Sequence, residues 1–302
     1  SSTAIYGSLG ANGVIIITTK KGKSGKINVS YNGHYGINGW VDYPKPRLGE
    51  DYINLRREAY RTVGEWSSPD DDINLFPGNT KQYEAYKNNQ WVNWVDLVTR
   101  NGHQQNHNIT FSSGTENLKS FISLTYFNEE GVFKRDNMNR YSLRMNIDYN
   151  VNKWLKAGVN SQITYTETNN LPTDDSNNAF GSMLTNAMSI VPLGTPYNED
   201  GSINIYPVAG DQSSISPLAN YADKYKAKNN TISSKIIAVG YIEIQPIKQL
   251  KVRSNLSTAL NVSRIGVYNG QYSLDQKQKG WTNEGYVTNR NTRFYSWDNI
   301  IT

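Results

Sequence analysis

Side chains that could do chemistry are few in this sequence, and they lie far apart. Gly22-Lys23-Ser24 matches the end of a phosphate-binding loop. That loop needs a Gly five residues before Gly22, where Ile17 stands, and a helix after it, where Ile27–Tyr35 reads as a strand. Gly7, Gly10 and Gly13 have the wrong spacing for a dinucleotide site and also precede a strand. His103 and His107 are four apart, as zinc ligands can be on a helix, but Gly102 and a strand starting at His107 argue against one. Asp70-Asp71-Asp72 offers oxygens to a calcium ion, and a solvated acidic loop suits it better. Glu129–Glu130 and Asp174–Asp175 are adjacent pairs whose side chains diverge, so no opposed acid pair for glycoside cleavage emerges. The absence of Cys excludes a thiol nucleophile, an iron–sulfur cluster and a Cys-based zinc site. The expectation is a protein without catalytic residues, metal or cofactor.

The elements that position these residues are strands. Ile27, Val29, Tyr31 and Tyr35 alternate with polar or small residues. Tyr141, Leu143, Met145, Ile147 and Tyr149 alternate with Ser142, Arg144, Asn146 and Asp148. Leu155, Ala157, Val159 and Ile163 alternate with Lys156, Asn160 and Gln162, and Leu250, Val252 and Leu256 with Lys251, Arg253 and Asn255. Period-two alternation marks half-buried strands. Strands are expected near 26–38, 107–113, 119–133, 140–152, 155–168, 231–246, 249–267 and 293–302. Several exceed the usual five or six residues, and long strands with one apolar and one polar face suit a membrane-spanning barrel.

The connections support that class. Tight turns at 114–117, 152–154 and 246–249 alternate with long connections at 39–106, 169–230 and 268–292, while 134–139 is a short link in a long-connection slot. Short turns at one end and long loops at the other are the outer-membrane barrel pattern. Tyr141 and Tyr149, eight residues apart on one face, would stand ~20 Å apart in height, the spacing of two aromatic girdles. Trp154 at a short turn suits an interfacial anchor. Helical spacing of apolar residues appears at 49–61 and 180–190, inside the long connections. The fold class is therefore all-β: an antiparallel meander forming part of a transmembrane barrel, with neighbouring strands paired in order.

Composition agrees. Of 302 residues, 38 are Asn and 21 are Tyr, and hydrophobic residues make up only 37%, so one large compact core is not expected. The net charge of +5 comes from scattered Lys and Arg, which gives no nucleic-acid stripe. No run approaches the 18 apolar residues of a membrane helix. Residue 1 is Ser, and the chain reads as a piece of something longer, stopping at Thr302 inside a segment that still reads as strand.

Residues 1–25 differ from the rest. Val14-Ile15-Ile16-Ile17-Thr18-Thr19 is a β-branched run that reads as a strand covered on both faces, in a module separate from the wall expected at 26–302. Residues 2–22, Ser-Thr-Ala-Ile-Tyr-Gly-Ser-Leu-Gly-Ala-Asn-Gly-Val-Ile-Ile-Ile-Thr-Thr-Lys-Lys-Gly, resemble the end of the plug domain of TonB-dependent outer-membrane transporters. The Gly-Ala-Asn-Gly-Val form resembles the SusC/RagA-like branch. Ala4, Tyr6, Gly7, Gly10, Asn12 and Gly13 carry the match, and Leu9 departs from the basic residue usual there. Asp51–Leu55, Trp91–Trp94, Gln105–Ile109, Phe127–Val132, Arg140–Asn146 and Asn152–Lys156 look like segments of the same branch, in order.

The resemblance implies a 22-stranded, plugged barrel, of which eight strands are about a third. It implies import of oligosaccharides or peptides across a Gram-negative outer membrane, with a SusD-like lipoprotein as lid and TonB acting through a segment not in this sequence. Arg144, Asn146, Asp148, Lys156, Gln162, Lys251 and Arg253 would line the wet lumen, with the other faces against outer-membrane lipid. Trp40, Trp66, Trp91, Trp94 and Trp281 are candidates to stack on sugar rings, each against the alternative of packing its own loop. A β-rich surface adhesin and a soluble β-sheet carbohydrate-active protein are the competing readings.

Overall fold

The structure, a computed structural model, describes residue 22 and residues 25–40, 45–170, 183–221, 227–271, 273 and 282–302. Eight strands form one sheet: β1 (Gly25–Asn38), β2 (Gly102–Gly114), β3 (Leu118–Glu130), β4 (Asn137–Asn150), β5 (Leu155–Asn169), β6 (Lys228–Ile247), β7 (Leu250–Asn269) and β8 (Glu284–Ile301). Their order in the sheet is their order in the chain, and every pairing is antiparallel. The meander expected from the turn lengths is the one observed. The sheet is open, with β1 and β8 as its two edges.

Several strands run farther toward the long-loop end than their alternation indicates. β2 begins at Gly102 rather than 107, β4 at Asn137 rather than 140, and β8 at Glu284 rather than 293. The added residues include His103-Gln104-Gln105-Asn106 and Thr288-Asn289-Arg290-Asn291. A strand that projects beyond the apolar zone can carry polar residues on both faces. Period-two contrast then vanishes although the ladder continues. At Gly102 a side chain would strike the Glu130 carbonyl, so the close approach of β2 to the end of β3 requires glycine.

The best-packed interior lies in the long connections, not in the sheet. The first holds α1 (Gly49–Thr62), a 3₁₀ turn (Pro69–Leu75), α2 (Thr80–Lys87) and α3 (Trp94–Val98); the one after β5 holds α4 (Met183–Ser189). α4 falls within the segment read as helical at 180–190, α1 runs one residue past the one at 49–61, and Phe180 lies outside the described residues. Trp94, Val95, Val98, Met183, Ala187, Ile215 and Ala219 form one buried cluster, and Ile53, Leu75, Phe76 and Leu193 a second. The two connections are stitched together: Val92 N–H donates to the Pro192 carbonyl at 3.0 Å, and Asn79 Nδ2 to the Ala209 carbonyl at 3.0 Å.

Candidate functional site

Register, not sequence distance, assembles the polar face. In β4 to β7 the cross-strand rungs run Asp148–Gly158–Tyr241–Asn255 and Arg144–Gln162–Ile237–Ala259. Residues on one rung share a face, and so do those two apart along a strand. Arg144, Asn146, Asp148, Lys156, Gln162, Lys251 and Arg253 therefore lie on one side of the wall. Tyr141, Leu143, Met145, Ile147 and Tyr149 lie on the other.

At the short-turn end these residues gather around an acid that the alternation reading passed over. Glu243 is 8% exposed and meets Arg253 at 3.4 Å, Lys251 at 3.6 Å and Lys156 at 3.8 Å. Beside it the Tyr241 hydroxyl donates to the Asp148 carboxylate, two strands away. The ring crosses β5 at Gly158, where a Cβ would collide with it. Glycine at 158 thus lets a tyrosine from β6 reach an aspartate on β4. The Arg253 guanidinium lies 3.9 Å from the Tyr241 ring centroid and donates to Asn255 at 2.9 Å. One level up, Arg144 donates to Gln162 at 2.8 Å. Asn146 is buried beside Phe121 on its rung. The Tyr241-Ile242-Glu243-Ile244 alternation was the available signal: a Glu between two Ile sits on the polar face.

The opposite face carries an aromatic row. His107 stacks between Tyr31 and Tyr126, at 6.1 and 6.2 Å, and accepts or donates a 2.7 Å hydrogen bond with Tyr31. Tyr126 meets Tyr141 at 5.2 Å, and Tyr141 meets Tyr165 at 6.4 Å. Below the row the face is apolar and open, with Ile109, Leu124, Val159 and Ile163 exposed. His103, the second histidine, pairs with Glu130 at 3.3 Å and stacks on Tyr35.

In the loops, the triple aspartate is not uniformly solvated: Asp70 is exposed and Asp72 is buried. Asp72 is buried and bonded by Arg57 Nε at 2.9 Å and by Trp66 Nε1 at 2.9 Å, with Tyr86 donating at 3.2 Å. Burial alone raises the Asp72 carboxyl, but these hydrogen bonds and the Arg57 charge outweigh it and hold it below the usual carboxylate range. Asp71 caps the turn by accepting from the Ser67 and Ser68 backbone at 2.8 and 3.0 Å. Among the described residues no three His, Cys, Asp or Glu gather as a metal set.

The tryptophans divide by burial. Trp94 is 1% exposed and donates to the Val191 carbonyl at 3.0 Å; Trp66 is buried against Asp72, Arg57 and Arg61. Both shape the loops. Trp91 is half-buried, edge-on to Tyr52 and Tyr86. Trp40 is exposed, edge-on to Phe133. Trp281 and the motif residues Ala4, Tyr6, Gly7, Gly10, Asn12 and Gly13 lie outside the described residues. Gly22 is buried, and a side chain there would strike the Ser120 backbone of β3.

This two-faced, loop-capped meander has known relatives. The chain is 28% identical over its full length to TonB-dependent receptor P26 of Formosa agariphila. It is 30% identical over 75% of its length to receptor P3 of the same organism, and 31% over 49% to TonB-dependent receptor SusC of Bacteroides thetaiotaomicron. Two structures of the RagAB peptide importer, in closed-closed and open-open states, match 98% and 99% of the chain with a TM-score of 0.73 at 20% identity. The chain is a stretch of a SusC/RagA-like TonB-dependent receptor. It spans 28% of the length of receptor P26 and 35% of the matched importer chain. No family model matches it. In this SusC/RagA-like chain the meander is an arc of the barrel wall.

Proposed function

We propose that this chain forms about a third of the wall of an importer that takes up oligosaccharides or peptides across a Gram-negative outer membrane. The observation that carries the reading is the division of the wall into an apolar face with an aromatic row and a face of hydrogen-bonded charge. A transmembrane barrel with a wet interior needs that division. Arg144, Asn146, Asp148, Lys156, Gln162, Lys251 and Arg253 then face the lumen. Residues 1–25 form the end of the plug, and Gly22 stands against Ser120 of β3, near the short turn at 114–117. The folded loops stand outside the cell, where a SusD-like lipoprotein covers them. Trp40 and Trp91 keep exposed ring surface for a ligand; Trp66 and Trp94 are already enclosed by their own loops. TonB supplies the energy through a segment not in this sequence. No bond is broken, so no catalytic residue is assigned.

The test uses the full-length receptor in its host. Labelled oligosaccharide and peptide pools are offered to cells with and without TonB, and the outer membrane is fractionated. The receptor should partition with the outer membrane, and uptake should vanish without TonB. Uptake that persists without TonB, or a receptor found outside that membrane, defeats the proposal.

A further inference from the structure

A pocket of about 940 Å³ lies away from the polar lumen face. It lies at the loop end of β5 to β8. Its principal side chains follow the same alternation as the aromatic row: Glu167 and Asn169 continue the series of Tyr165, and Arg264 that of Val262. β5, β6 and β7 keep unbroken register here, so these groups face outward.

The outward surface of β4 and β5 changes character along the strands. Leu143 and Ile163 belong to an apolar groove of about 410 Å³ roofed by Tyr141 and Tyr165. Two to four residues farther stand Glu167, Asn137 and Asn169. At ~3.3 Å per residue and ~40° tilt, the pocket begins ~5–10 Å beyond the aromatic row. Polar headgroups occupy ~5–8 Å on each side of the hydrocarbon. The pocket is therefore at headgroup depth, directly above an apolar strip.

Its chemistry suits a phosphorylated sugar. Three cations, Arg135, Lys228 and Arg264, face one acid, Glu167. Arg135 is partly engaged, donating to the Asn220 carbonyl at 3.0 Å. Neither Lys228 nor Arg264 has an ion-pair partner among the described residues. Asn230 donates to Asn169 at 2.8 Å and Asn169 to Asn137 at 3.0 Å, making an amide chain across three strands. Asn230 also donates to Glu167 at 3.3 Å, and Asn137 to the Arg135 carbonyl at 3.1 Å. Asn137 and Asn169 each keep one N–H and one lone pair, and Asn230 keeps its carbonyl oxygen, for hydroxyls to use. Basic pockets beside a bilayer bind anionic headgroups, and Arg suits phosphate.

We propose that this outward pocket seats the phosphorylated sugar headgroup of an outer-leaflet glycolipid. Lys228 and Arg264 hold phosphate, the Asn137–Asn169–Asn230 chain holds hydroxyls, and the acyl chains descend over the apolar strip. The proposal rests on the membrane placement above.

Native mass spectrometry on the full-length receptor, extracted from outer membranes in mild detergent, counts retained glycolipid. The double variant Lys228→Gln, Arg264→Gln should retain at least fivefold less, with heat-modifiable gel migration reporting barrel folding. In a second arm the unaltered receptor is reconstituted with phosphorylated or dephosphorylated glycolipid, so variant folding cannot affect the result. Retention should drop at least fivefold on dephosphorylation, and millimolar inorganic phosphate should not displace the lipid. Equal retention in either comparison overturns the site, and displacement by inorganic phosphate marks a free-anion site instead. A receptor that fractionates with the outer membrane yet retains no glycolipid defeats this site alone; one absent from that membrane defeats the placement itself.

Discussion

Gly158 shows how much one residue can decide in a wall one layer thick. Without a side chain it leaves room for the Tyr241 ring to reach Asp148. Gly158→Val should displace the ring and strand the aspartate, at about 1–3 kcal/mol. Urea unfolding of the full-length barrel checks this, and an unchanged midpoint would contradict the bridging role. On β4, Met145→Arg should cost about 2–4 kcal/mol at mid-membrane depth, with Asn146→Arg much milder. Equal losses for the two in a refolding titration would contradict the face assignment. In the loops, Asp72→Ala removes the partner of a partly buried Arg57. Glu50 still reaches Arg57 at 3.1 Å, so about 2 kcal/mol of local stability should go.

At the scale of elements, α1 is clamped to the 3₁₀ turn by Arg57–Asp72 and by Arg56 donating to the Leu75 carbonyl at 2.9 Å. The pH response follows from Asp72. Its folded value lies below the unfolded 3.8, so the added stability is complete above that value and is lost as pH falls through the folded one. Protection factors in α1, taken relative to intrinsic exchange at each pH, should stay flat from about pH 7 to 4.5 and fall only below about 3.8. Asp72→Asn should abolish that acid step. A step centred near pH 6 would implicate a different group.

For the whole molecule, the open sheet sets the behaviour of this chain on its own. Among the described residues β1 and β8 each have a strand partner on one side only, and the outward face exposes Val29, Tyr31, Leu256 and Trp297. A barrel removes edges only by closing. Expressed alone, residues 1–302 should aggregate or require detergent. A soluble, monodisperse, cooperatively melting monomer in plain buffer would count against the membrane-wall reading.

The amino-acid sequence by itself determined the alternation of the strand faces, the order of the meander, α4 and all but the last residue of α1. Each is local: alternation at period two or spacing at 3.6 is written into neighbouring residues, and short turns leave successive strands no partner but each other. Tertiary structure decided the rest. Asp72 and Trp66 are six apart, but what buries them is Arg57 and Tyr86, brought in by α1 and α2. Trp94 is sealed by Val191, ninety-seven residues on. Glu243 acquires three cations only because register lays β5 and β7 on either side of β6. Beyond the apolar zone polar residues stand on both faces, so β2 and β8 lose their alternation and only the partner strand's ladder extends them to Gly102 and Glu284.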